Sequence, residues 1–387
     1  MKTEWIVAER AEAVRRAAEA WGEAGLVSAQ DAQAIAIRYP DDRVRAATPM
    51  AVLSFVFAAV AGLAVLVLAA IVLESPAAGL LVVPPLAIAV ERLVGAGRRV
   101  RTGVEGGLAL ALVVCVAVGA FWFVDEALGA SADTAARSLL PVLAVACGLV
   151  CWRWGMATAA APGACLAYLF LATFGSGRWL VLGTAVALTP VLSHGSSHAR
   201  LTPSHRRALA IALAVSLAAA YLAVNLHSLD SHWIESLAWH ARHKPEWSPV
   251  VRLACLAATA LLPAAVLARG VRTRDRLLLW CGAVMLAASC VTVRAYVHVA
   301  PAWVLLVLAG LACLAAALLL QRWLERGRGA ERGGFTPASL GEGGDPHRLA
   351  ETAAVLATLT PGAPGRPPEG FRAGGGEFGG GGASGGF

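Results

Sequence analysis

The stretch PMAVLSFVFAAVAGLAVLVLAAIVL, residues 49–73, runs for 25 residues with no charged side chain and a single hydroxyl, Ser54. At a helical rise of about 1.5 Å per residue it is long enough to cross a hydrocarbon core about 30 Å thick. Lipid offers the backbone no hydrogen-bond partners, so a stretch this apolar predicts a transmembrane helix. Similar stretches recur to residue 320, cut by short arginine-bearing loops. We read ten spans, at roughly 49–73, 77–95, 105–124, 139–153, 156–174, 178–193, 206–226, 249–268, 275–293 and 301–320. The predicted fold is an all-α polytopic membrane helix bundle. A helical module over 1–48 precedes it, and a glycine-rich tail over 321–387, expected to be disordered, follows.

Composition agrees. Apolar residues make up 58% of the 387 and charged ones 15%, outside the usual range of a soluble chain. The net charge of +7 would suggest nucleic acid on a soluble protein, but the arginines sit in loops beside apolar spans, where membrane topology accounts for them. All eight cysteines lie within or at the edge of spans, with no zinc-like spacing and no disulfide framework.

Basic residues orient the bundle. Ten spans with the N-terminus inside place 26 Lys and Arg on the inner side and six (Arg137, Arg178, Arg242, Lys244, Arg252 and Arg294) on the outer. The fourth and fifth spans join through a tight turn at Trp152-Arg153-Trp154-Gly155. Treating that pair as one re-entrant element would divide the charges 16 to 15 with Arg153 buried. The bias selects ten spans in an inner membrane with both termini cytoplasmic.

Residues 1–48 show no apolar core close behind the basic start, so no signal peptide is expected. From Trp5 to Trp21 an amphipathic pattern places Val7, Ala11, Val14, Ala18 and Trp21 at spacings of four and three. Gly25 is placed to end that helix in a left-handed conformation, and Ser28 to cap a second one with Asp31 three residues on. Ala32, Ile35 and Tyr39 mark the second helix's apolar side, and Pro40 stops it. Two helices around a Gly-x-x-Ser corner invite a DNA-binding reading. Seven basic against eight acidic residues over 1–47 leave no face to neutralise phosphates. The expected partners are the lipid bilayer and a protein engaging this module or the tail, not nucleic acid.

The interior offers little chemistry. Ion-coupled carriers place carboxylates, histidines or arginines at membrane depth. Here Glu74, Glu91, Arg92, Glu105, Asp125 and Glu126 fall at span ends, and the deepest polar groups are Ser, Thr and Cys, with Asn225 and Thr189. Pro84, Pro85, Pro162, Pro190 and Pro263 are placed to kink helices, as in transporter sites and in many spans without such a role.

Two histidine clusters remain. His194, His198 and His205 fall in SHGSSHARLTPSHRR, residues 193–207. Gly195, Ser196 and Ser197 predict a solvated loop there, although His194 and His198 would share a face were it helical. The second stretch, HSLDSHWIESLAWHARHKPEWS over 227–248, predicts an outer amphipathic helix capped by Asp230 or Ser231 and ending before Pro245. At about 100° per residue, His232, Glu235, His240 and His243 share one arc, opposite Trp233, Ile234, Leu237, Ala238 and Ala241. The plain reading is an interfacial helix with tryptophans at headgroup level. The sharper one is an outward metal or pH-sensing site with His240 and His243 on adjacent turns and His232 and Glu235 beside them. No catalytic residue and no cofactor is assigned.

After Gln321 the chain turns arginine- and glycine-rich, then proline-rich over 361–370, and its last fourteen residues hold nine glycines. The plain reading is a tether; the alternative is docking through Phe371, Phe378 and Phe387.

The segment W-G-x-x-G-L-V-S-x-x-x-A-x-x-I, residues 21–35, lies within fifteen residues of the first span. It resembles the start of bacterial predicted membrane proteins in families of unknown function, which set a short helical module before a multi-span bundle. The resemblance covers about the first 70 residues and departs at Leu73-Glu74-Ser75, where a tryptophan often closes the first span. It implies a bacterial inner-membrane protein and supplies no activity.

Three functional classes follow. The first is a non-enzymatic membrane protein with a scaffold, assembly or envelope role. The second is a transporter or channel for a neutral or weakly polar solute, which predicts a cavity lined by the proline-bearing spans. The third is a membrane enzyme, for which no nucleophile–base pair stands at a recognisable spacing. The histidine loop adds the sensing alternative.

Overall fold

A computed structural model describes residues 3–23, 26–40, 46–95, 102–129, 131–198, 201–237, 246–273 and 275–296, and single positions beyond. Helices α1 (Thr3–Glu23) and α2 (Ala29–Arg38) form where the spacing predicts them. The Asp31 N–H donates to Ser28 Oγ at 3.1 Å, and Ser28 Oγ–H donates to the Asp31 carboxylate at 2.6 Å, which closes the N-terminus of α2. Leu26 N–H donates back to Trp21 O at 2.8 Å. Gly25 itself lies outside the described residues.

The membrane block is built of helices joined by short turns among its described residues. It comprises α3 (Thr48–Val72), α4 (Gly79–Gly95), α5 (Val104–Trp122), α6 (Ala132–Trp154), α7 (Ala160–Ala172), α8 (Gly177–Ser197), α9 (Pro203–Val224), the short α10 (Leu226–Asp230), α11 (Pro249–Thr273) and α12 (Arg276–Tyr296). Among the described residues, eight stretches are long and apolar enough to cross a membrane: α3, α4, α5, α6, α8, α9, α11 and α12, within a residue or a few of these bounds. This is an all-α polytopic bundle. The expected fifth span is the shorter α7, whose 13 residues reach roughly 20 Å. The expected tenth, 301–320, lies mostly outside the described residues. Residues 302–387 form a separate unit, in which positions 307, 310–311, 314–315, 318–319 and 321–323 are described and helical.

The α6–α7 pair is a helical hairpin. Gly155, at φ 68°, closes α6 by donating to Cys151 O at 2.9 Å, and α7 turns back antiparallel. The tip of this hairpin lies at the bundle end that carries the N-terminal module. There Arg153 pairs with Glu91 at 2.8 Å, Trp154 Nε1–H donates to Glu91 at 3.0 Å, and His205 Nε2 lies 3.3 Å from Trp152 O. Of the two legs, α6 is long and apolar enough to cross a membrane, and α7 is shorter.

Four core clusters hold the described part of the block, two of them at its two ends in sequence. Leu66, Val82, Leu86, Ala111, Leu112 and Cys115 join α3, α4 and α5. Leu213, Leu217, Tyr221, Val266, Leu278 and Met285 join α9, α11 and α12. The module docks on α9: Glu9 is buried, and its carboxylate accepts from the Ser204 N–H at 3.4 Å and from the Ser204 hydroxyl. An acidic group there satisfies a free helical N–H and faces the positive end of the helix dipole.

One loop prediction is overturned. α8 does not stop before His194 but continues to Ser197, with His198 as its C-cap. Gly195 packs closely on α9, since an added Cβ would fall 2.8 Å from Leu209 Cδ1. Ser196 Oγ–H donates to Ser193 O at 3.0 Å. Packing against α9 thus outweighs the poor helix propensity of Gly-Ser-Ser.

Candidate functional site

A buried guanidinium lies at the bundle end opposite the module. α7 is short, so residues 173–176 turn early and α8 begins against its end: a Cβ on Gly177 would strike the Ala172 backbone. That places Arg178, in the first turn of α8, at 2% exposure. Its Nε–H and Nη2–H donate to the two Glu235 oxygens at 2.6 and 2.9 Å. Nη1–H donates to Ala223 O at 2.7 Å and Nη2–H to Ser228 O at 2.9 Å. The Trp247 ring lies 5.7 Å from the guanidinium carbon. A cation at a helix N-terminus opposes the dipole, and the Glu235 carboxylate offsets both the dipole and the desolvated charge. Three atoms of the surrounding residues, Ser228 Oγ, His232 Nδ1 and Trp247 Nε1, are buried without a hydrogen-bond partner.

Beside it a neutral network ties α9, α10, α11 and α12 together. Asn225 donates through Nδ2 to Tyr221 Oη at 2.9 Å and to Thr292 Oγ1 at 2.8 Å, while its Oδ1 accepts from the Ser228 N–H at 3.1 Å and caps α10. Tyr221 Oη and Ser289 Oγ are 2.9 Å apart, and Ser289 Oγ lies 2.7 Å from Thr259 O. Thr259 Oγ1 accepts from the Leu226 N–H at 3.1 Å and donates to Cys255 O at 2.7 Å. Thr259 is ten residues along α11, roughly 15 Å from its start. Tyr296 Oη–H and Arg252 both donate to Asp230, at 2.6 and 3.0 Å. Every polar atom of the Asn225 side chain is used, so Asn225→Ala should lower the unfolding free energy in detergent by about 2 kcal/mol and Tyr221→Phe by about 0.5–1 kcal/mol. Denaturant titration of the purified variants checks both.

The amphipathic helix expected over 230–244 does not form in its described part. His232 takes a left-handed conformation, φ 53°. Trp233 N–H bonds to Ser228 O at 3.3 Å and His232 N–H to Leu229 O at 3.2 Å, the paired bonds of a Schellman stop. Asp230 and Ser231 therefore end a helix instead of starting one. The chain then turns through a 3₁₀ segment, Glu235–Leu237, and delivers Glu235 to Arg178. His232 and Glu235 do not share a helical face, and Glu235 serves the ion pair. His240 and His243 lie outside the described residues. No group of three or more His, Cys, Asp or Glu among the described residues is placed to hold a metal.

Sequence reasoning named Asn225 as a deep polar group and found Glu235 for another reason. Arg178 it missed, reading it as a loop cation. The signal lies in tertiary packing, since only the short α7 and the returning 226–237 segment bury it. What the whole arrangement does chemically is to lock that segment over the ends of α8, α9, α11 and α12. No family model, curated protein or solved structure matches this chain.

Proposed function

We propose that the chain is a multi-pass protein of a bacterial inner membrane, with both termini cytoplasmic, acting as a non-enzymatic scaffold that presents its N-terminal module to a protein partner. The placement of the prolines carries this reading. A solute pathway through kinked spans needs them to converge on one interior. Pro84 and Pro85 instead lie on the outward stripe of Leu81 and Ile88, Pro190 is exposed beside Val186 and Val191, and Pro162 is exposed. Pro263 is fully buried in packed side chains. The polar groups of the Asn225 network are bonded to one another, as expected of interhelical fastening. The Glu9–Ser204 contact supports a fixed module, and burial of Arg178 withdraws one of the six basic residues counted on the outer side, which sharpens the charge bias.

Reporter fusions after Leu73 and Ser131 should report outside, and those after Gly103 and Thr273 inside; an outside signal at Thr273 would sink the orientation. In proteoliposomes, osmotic stopped-flow with urea and glycerol should give the permeability of empty vesicles. Solute flux above that baseline would replace the scaffold with a neutral-solute pathway.

A further inference from the structure

His194 and His198, which the Gly-Ser-Ser composition places in a predicted loop, stand one turn apart at the end of α8. Their ring centroids are 5.4 Å apart, the planes tilt by 40°, and both side chains are exposed. Two imidazole nitrogens bound to one divalent ion at about 2.0–2.1 Å hold their ring centroids roughly 4.5–5 Å apart, so a modest change of side-chain torsion brings both onto a common metal. The position favours a cation, because the last turn of a helix carries unsatisfied carbonyls and the negative end of the dipole.

The third histidine of the stretch, His205, bonds at the start of α9. His205 Nδ1 lies 2.6 Å from Thr202 Oγ1, and its Nε2 lies 3.3 Å from Trp152 O, so His205 joins the start of α9 to the end of α6.

We propose that His194 and His198 form a two-imidazole chelate for a late first-row divalent cation, with Cu²⁺ bound more tightly than Ni²⁺ or Zn²⁺, as nitrogen donors generally order these ions. The chain leads from this pair into the first turn of α9, where Glu9 is seated, so the site lies beside the footing of the module.

The test uses the full chain without a histidine tag, in detergent, titrated with Cu²⁺ and followed by electron paramagnetic resonance. Wild type should bind one ion with the hyperfine pattern of two nitrogens. His194→Ala and His198→Ala should each weaken binding at least about tenfold, because the second donor loses its intramolecular advantage. His205→Ala and the triple variant His232→Ala, His240→Ala, His243→Ala should bind like wild type. Unaltered binding by the two single variants would overturn the chelate. So would loss of the ion in the triple variant alone, or weakening by His205→Ala. Both single substitutions fall at an exposed helix end, and matching thermal unfolding curves confirm that the fold is kept.

Discussion

Replacing Arg178 with methionine is expected to destabilise the purified chain by about 3–5 kcal/mol, because it leaves the Glu235 carboxylate desolvated and unpaired. Glu235→Leu should cost a similar amount for the mirror reason, since Arg178 at 2% exposure would keep only two carbonyl acceptors and the Trp247 face. The combined Arg178→Met, Glu235→Leu variant should be much less damaged than the two single effects added together. Ala223 O and Ser228 O lose their donor in that variant, so recovery stays incomplete. A double-mutant cycle by denaturant unfolding in detergent reads this directly, with a coupling energy of about 2 kcal/mol or more. Additive single effects would mean that the pair is solvated and that the 226–237 segment is not held by it. The variants should also differ in proteolysis: cleavage within 231–237 should speed up in each single variant before the helices are cut.

That pair also marks where sequence reading stops. The spans were legible because lipid imposes one rule on every residue of a crossing helix, and the Ser28–Asp31 cap because its chemistry is local. Arg178 was not legible. Its neighbours Gly177 and Trp179 read like any short loop between apolar runs, and its burial depends on a carboxylate 57 residues away. The wheel drawn over 227–248 failed for a related reason. Periodicity assigns faces only while the helix continues, and the Schellman stop at His232 breaks the register before Glu235. At His194–His198 the error ran the other way, since the Gly195–Leu209 contact keeps helical a Gly-Ser-Ser sequence that is a poor helix former alone. Asn225 fell between these cases: its polarity at depth was visible, its partners on α12 were not.

Gly103→Ala is expected to be the most damaging glycine substitution in the first half of the bundle, at about 2–5 kcal/mol, from overpacking and a backbone that L-residues avoid. Gly103 sits at φ 90° just ahead of α5, where Thr102 and Glu105 close the helix start through buried hydrogen bonds of 2.9 and 2.6 Å. A Cβ there would strike the Ala51 carbonyl oxygen and approach Ala51 C to 2.7 Å and Phe55 N to 2.9 Å. These are backbone atoms of α3, so relief requires the two helices to separate. Gly107, one turn on, meets the same surface, its added Cβ 2.8 Å from both Ala58 Cβ and Ala59 N. Gly148 on α6 supplies the control, with nothing within 4 Å of an added Cβ. Gly148→Ala should be neutral or stabilising by up to about 1 kcal/mol, the usual gain inside a helix. Thermal unfolding in one detergent ranks the three variants without any assay of function. Small residues let membrane helices approach at backbone distance, where dispersion and weak polar contacts replace the hydrophobic drive that lipid removes. If Gly103→Ala melted with the wild type, α3 and α5 would not meet this closely, and the first core would have to be held by α4 instead.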